Sequence, residues 1–68
     1  MNLIVNGELL TLAEGATVVD VLRALELDAT ARGIAVARNG DVVLRSAWER
    51  TTLEEDDRLE VLHAVQGG

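Results

Sequence analysis

The chain contains no cysteine, no lysine, no phenylalanine and no tyrosine. Without cysteine there are neither disulfides nor thiolate metal sites, and the single His63 cannot form a metal cage alone, so no metal is expected. Without lysine, no side-chain amine is open to an isopeptide bond, and Met1 offers the sole primary amine. Six arginines, spread singly, stand against 12 acidic residues and give a net charge of -6. Phosphate binding needs a basic stripe, so nucleic acid is excluded as a partner. An acidic surface instead favours solubility and encounter with a basic protein. No run approaches the ~18 apolar residues of a membrane span. Met1–Val5 lacks the basic start and long apolar stretch of a signal peptide, so a cytoplasmic protein is the default expectation.

What is present is aliphatic. Val, Leu, Ala and Ile dominate, with Trp48 as the lone aromatic. Sixty-eight residues make a single domain, 1–68, without linker, repeat or low-complexity stretch. A chain of this size buries only about 60% of its unfolded surface, so its core must be efficient.

Two Asn-Gly pairs, Asn6-Gly7 and Asn39-Gly40, lie between β-rich segments. Both positions of such a pair tolerate the positive φ of a type I′ turn, which predicts two hairpins. The first joins Leu3–Val5 to Glu8–Leu12, and the second joins Ile34–Arg38 to Asp41–Leu44. Between them Thr17 caps a helix, with Asp20 as the acid of a capping box. Val18, Leu22 and Leu25 recur at helical spacing, widened by Val21, while Asp20, Arg23 and Glu26 face water. Residues 27–33 read as the return loop. A last strand, Leu59–Val65, follows the acidic run Glu54–Asp57. The order β-β-α-β-β-β predicts an α+β fold: a mixed sheet of four to five strands with one main helix across one face, the ubiquitin-like β-grasp. Alternation turns Leu3, Val5, Leu10, Leu12, Leu59 and Val61 toward the helix. It sends Ile4, Leu9 and Leu62 to a face that no helix covers, and these three form a candidate partner surface.

Gly67 and Gly68 close the chain. Glycine carries no Cβ, so such an end passes through a channel too narrow for any side chain and presents its carboxylate to another protein's active site. The four residues Val65–Gly68 make a flexible tail about 13 Å long at ~3.3 Å per residue.

Taken together, Val5-Asn6-Gly7-Glu8, Ala35–Gly40, Val43–Trp48 and the closing Asp57–Gly68 resemble the thiamine-biosynthesis sulfur carriers, small ubiquitin-like proteins of this length. The resemblance runs end to end. The terminal Val-Gln-Gly-Gly after a strand, with Arg-x-x-Trp upstream, is its most specific part. Two departures stand out: Asp56-Asp57 replaces the usual Gly-Asp before the last strand, and Leu44 stands where proline is common. The resemblance implies that an ATP-dependent E1-like enzyme adenylates the Gly68 carboxylate. A cysteine desulfurase or other donor then leaves a thiocarboxylate, whose sulfur goes to a thiazole synthase. The chain itself would bind no cofactor, since ATP belongs to the activating partner, and would be a monomer when alone. Val65, Gln66 and Gly67 would set the tail's register in the partner groove.

Other residues invite functional readings. His63 is of the residue type most used in acid–base catalysis but has no second catalytic group beside it in sequence, which favours a rim or packing role. Trp48 reads as core or as a cap over one end of the sheet. Arg45 is offered either to the acidic turn or to a partner, and Glu54–Asp57 reads as a solvated turn. The rival functions are the small subunit of molybdopterin synthase, a carrier for another metabolite, a ubiquitin-like modifier and a plain binding module. An enzyme is the least favoured class, because no nucleophile, acid–base pair or metal-ligand spacing appears.

Overall fold

A computed structural model describes residues 1–64. The strands are β1 (Asn2–Val5), β2 (Glu8–Thr11), β3 (Ile34–Arg38), β4 (Asp41–Val43) and β5 (Arg58–His63), with one α-helix, α1 (Val18–Ala24). A 3-10 helix, Arg45–Arg50, links β4 to β5. The sheet order is β2-β1-β5-β3-β4, with β1 and β5 parallel and every other pair antiparallel. This is the ubiquitin-like β-grasp expected from the element order, with the last strand at its centre.

Both hairpins form at the Asn-Gly pairs. Asn6 and Gly7 have φ of 51° and 81°, and Asn39 and Gly40 have 49° and 90°. Positive φ at both central positions is the type I′ geometry, whose twist matches that of the flanking strands. The turns set the registers, with Val5 opposite Glu8 and Arg38 opposite Asp41.

α1 starts as its sequence implies. Thr17 is extended, and its N–H donates to the Asp20 carboxylate at 2.8 Å. It ends sooner than its apolar spacing suggests. Leu25 caps the helix and is solvent-exposed, not part of the buried stripe. Glu26 follows at φ 61°, its N–H donating to the Arg23 carbonyl while Leu27 N–H donates to that of Leu22. These two bonds make a Schellman motif, which usually has glycine at the left-handed position. With glutamate there, the sequence carries no visible stop signal.

The core lies between α1 and the inner face of the sheet. Leu3, Leu22 and Leu59 are fully buried. Truncating one of them to alanine costs about 2–5 kcal/mol, a large share of the ~5–15 kcal/mol that holds a domain folded. Trp48 fills the end of the core beside α1, and its indole N–H donates to the Val43 carbonyl at 2.8 Å. Leu44, just before the 3-10 helix, has φ -63°. A proline ring enforces that same angle, so leucine at this position leaves the backbone path unchanged.

Candidate functional site

Val65, Gln66, Gly67 and Gly68 lie outside the described residues, as does the last part of the expected strand. The site is therefore built from the sheet to its edge at Ala64. β5 loses its two neighbours at different heights. On the β1 side, pairing stops at Val5 with Leu59. The Asn6 carboxamide then takes over: its Oδ1 accepts from Val61 N–H at 2.8 Å and its Nδ2 donates to the Val61 carbonyl at 3.2 Å. One side chain thus imitates a strand for one residue, satisfying backbone groups that an edge would leave open. On the β3 side, Ile34 pairs with His63, and Ala64 N–H donates to the Gly33 carbonyl at 2.8 Å.

At the other end of β5, the acidic run is not uniformly solvated. Asp57 is buried, unlike the exposed Glu54, Glu55 and Asp56. Burial alone pushes its carboxyl toward the neutral form. The Glu54 N–H, the Asn39 carboxamide and the Arg38 guanidinium outweigh that burial and hold its pKa below the usual aspartate value. Asp56 turns the chain into this position at φ 67°, which explains why glycine is the commoner residue there.

Arg45 does not reach the acidic turn. Its guanidinium donates to the carbonyls of Ala29 and Ala31, the latter at 2.6 Å, and stacks 4.4 Å from the centre of the Trp48 ring. A groove of about 700 Å³ runs between α1 and the 3-10 helix beside this stack. Several of its polar side chains are engaged with one another. Asp20 pairs with Arg23, and the Thr30 hydroxyl and N–H hold Asp28 ionised, its pKa lowered. A carboxylate held in that form is a poor proton donor.

The three apolar residues offered as a partner surface are separated. Ile4 sits half-buried opposite Leu9, level with Arg58. Leu62 comes four residues further along β5, roughly 13 Å away at a strand's rise per residue. It is 69% exposed and stands opposite Ala35 on β3. Exposed Val42 stands beside Ala37 on the same face, and exposed Leu44 follows just past β4. Leu62, Val42 and Leu44 thus form one apolar area next to the point where β5 ends, and Leu9 with Ile4 forms another at the far strands. Period-two alternation from Val43 would have found Val42. Nothing in the sequence marks Gly33 as a partner of Ala64. His63 is exposed at the end of β5, opposite Ile34. Among the described residues no three His, Asp or Glu side chains gather as metal ligands, and no helix is long and apolar enough to cross a membrane.

Known proteins are similar to this chain over its whole length. The crystal structure of the thiamine biosynthesis protein ThiS from Geobacter metallireducens is 40% identical, with each chain fully covered and a TM-score of 0.78. The solution structure of a thiamine biosynthesis protein from the same organism is 37% identical, at a TM-score of 0.79, with all of this chain and 88% of that one covered. Two curated relatives are named thiazole synthase, one from Paramagnetospirillum magneticum at 32% identity and one from Magnetococcus marinus at 35%. All of this chain aligns to them but spans only 20% of their length. The sequence model of the ThiS family matches residues 3–68, the Gly67-Gly68 pair included. On that match, over nearly all its residues, the chain belongs to the ThiS family.

Proposed function

We propose that this chain is a sulfur carrier for thiazole formation in thiamine biosynthesis, a protein substrate of its partners and not itself an enzyme. The observation that carries the reading is the ThiS-family match running through Gly68. In the two relatives, a segment like this chain occurs within a protein named thiazole synthase, which supports a thiazole synthase as the acceptor.

The chemistry follows from the end group. A carboxylate is a poor electrophile. An ATP-dependent E1-like enzyme transfers AMP to the Gly68 carboxylate, releasing pyrophosphate and giving the acyl group a leaving group. The terminal sulfur of a persulfide on a cysteine desulfurase or an equivalent donor attacks the acyl carbon and expels AMP. A second thiol then reduces the acyl disulfide so formed, releasing the thiocarboxylate and leaving a disulfide on the donor. Tethered sulfur stays out of bulk water and reaches its acceptor at high effective concentration. The chain supplies no acid, base or metal to this cycle, and ATP is bound by the activating partner. Val65, Gln66 and Gly67 carry the end into the partner's channel. The apolar area around Leu62, beside the base of the tail, is the docking face, and Ile4 with Leu9 forms a second, separate area that contributes less.

Intact mass after incubation with host lysate, ATP and a sulfur source tests the reading. Replacement of one oxygen by sulfur, absent when Gly68 is deleted, is the expected result. A high-molecular-weight conjugate with no sulfur gain would mean a modifier, and no change of either kind would mean a binding module.

A further inference from the structure

β5 and β3 part at a glycine. Gly33 has φ 81°, in the left-handed region that L side chains rarely adopt. A Cβ placed on it would lie 3.3 Å from the Ala64 Cβ and 3.3 Å from the Ala64 carbonyl oxygen. The close approach and the 2.8 Å bond from Ala64 N–H to the Gly33 carbonyl belong together. The backbone at 33 comes near enough to hold residue 64 because it has no side chain. The loop leading to Gly33 is itself fastened, since Arg45 holds the Ala29 and Ala31 carbonyls and Ala31 N–H donates to the Asp28 carbonyl at 2.9 Å. Gly33 is therefore a fixed point. Neither it nor Ala64 belongs to the buried core.

We infer that Gly33 is a positioning residue for the reacting end: its carbonyl and its missing side chain set where, and in which direction, the chain leaves the sheet after Ala64. The consequence for activity rests on the sulfur-carrier reading. Gly68 is four residues beyond Ala64, a reach of at most about 13 Å, so releasing the root at Ala64 widens the volume the carboxylate must search and lowers the fraction of docked carriers that present it to the nucleotide. Misplacement by about 1 Å can cost a reaction on the order of 100-fold. The Leu62 face is unaffected, so docking and delivery separate at this residue.

Gly33→Ala tests the assignment through two readouts. The first is amide hydrogen exchange, which needs no partner. Ala64 N–H is expected to exchange at least about tenfold faster in the variant while Leu59 and Val61 stay protected. The second is ATP–pyrophosphate exchange by the activating enzyme, where kcat is expected to fall about tenfold with KM held within about twofold. Ala64→Gly in the same background removes the crowding Cβ and restores part of the loss. Ala64→Pro deletes the donated N–H without touching the core and is expected to lower kcat in the same way, which covers the case of a Gly33→Ala protein that does not fold. Unchanged Ala64 exchange, or an unchanged kcat in the folded variants, overturns the inference. A wild-type chain that supports no pyrophosphate exchange overturns the sulfur-carrier reading instead, and the amide-exchange result still decides the role of Gly33.

Discussion

Arg38 and Asp57 meet at a single carboxylate oxygen: Arg38 Nε donates to Asp57 Oδ2 at 2.8 Å, and Nη2 lies 2.8 Å from the same atom. The other oxygen accepts from Asn39 Nδ2 at 2.9 Å, and Oδ2 also accepts the Glu54 N–H at 2.8 Å. This one carboxylate joins the second hairpin to the turn that feeds the central strand. Its pKa is lower folded than unfolded. The unfolded chain therefore binds the proton more readily, and the stabilisation is present above about pH 4 and lost as pH falls through the lowered folded value. Asp57→Asn is expected to cost about 2–3 kcal/mol at neutral pH. It should also flatten the acid limb of a stability–pH curve measured by urea titration.

Glu26 holds a left-handed conformation that costs an L-residue roughly 1–2 kcal/mol. Part of that returns if glycine replaces it, offset by the greater freedom of glycine in the unfolded chain. Glu26→Gly is expected to stabilise the domain by about 0.5–1 kcal/mol, read as a higher denaturation midpoint at unchanged slope. Asp56→Gly should give a smaller gain in the same assay, because aspartate tolerates this region better than glutamate.

Arg45→Lys keeps the charge and loses the planar fork that serves two carbonyls and lies over Trp48. The variant is expected to lose about 1 kcal/mol and to show faster amide exchange at Ala31, with the strands protected as before.

Leu62→Asp and Leu9→Asp separate the two apolar areas of the outer face. Both side chains are mostly exposed, so each change should alter stability by no more than about 0.5 kcal/mol. If docking uses the area beside the end of β5, Leu62→Asp weakens binding to the activating enzyme by about tenfold or more, and Leu9→Asp by much less. Isothermal titration with both variants checks this, and equal losses would place the two areas in one interface.

Gly67→Ala adds one methyl at a position that the carrier reading requires to be clear. Activation is expected to fall by at least about tenfold with the thermal midpoint unchanged. Pyrophosphate exchange beside a melting curve would show both.

The hairpins are legible in the sequence because Asn-Gly allows few other backbone paths, and the β-grasp order follows once they are placed. The end of α1 is not legible, since Glu26 has the composition of a helix interior and the geometry of a helix stop. Asp57 is hidden for a different reason. In a row of four acids nothing local distinguishes it, and its burial depends on Arg38 and Asn39, which topology brings from 19 and 18 residues away. Asn6 is recognisable as a turn residue, but its bonds to Val61 span 55 residues and leave no pattern to read. The chemistry of the Gly67-Gly68 end is legible without any structure, because it belongs to the residue types themselves.

The side-chain amides of Asn6 and Asn39 tie the lifetime of this protein to its folding equilibrium. In an Asn-Gly pair the glycine nitrogen, unshielded by a Cβ, attacks the side-chain carbonyl carbon and expels ammonia, and water then opens the cyclic imide to leave a carboxylate where the amide was. Here both amides are occupied, one by Val61 and the other by Asp57 and the Arg58 N–H. A carboxylate at position 6 has no proton to give the Val61 carbonyl, and one at position 39 would face the Asp57 carboxylate. Deamidation therefore proceeds through molecules whose turns have opened, and each one altered closes less readily. The slow clock of chemical ageing is set by the fast one of local opening.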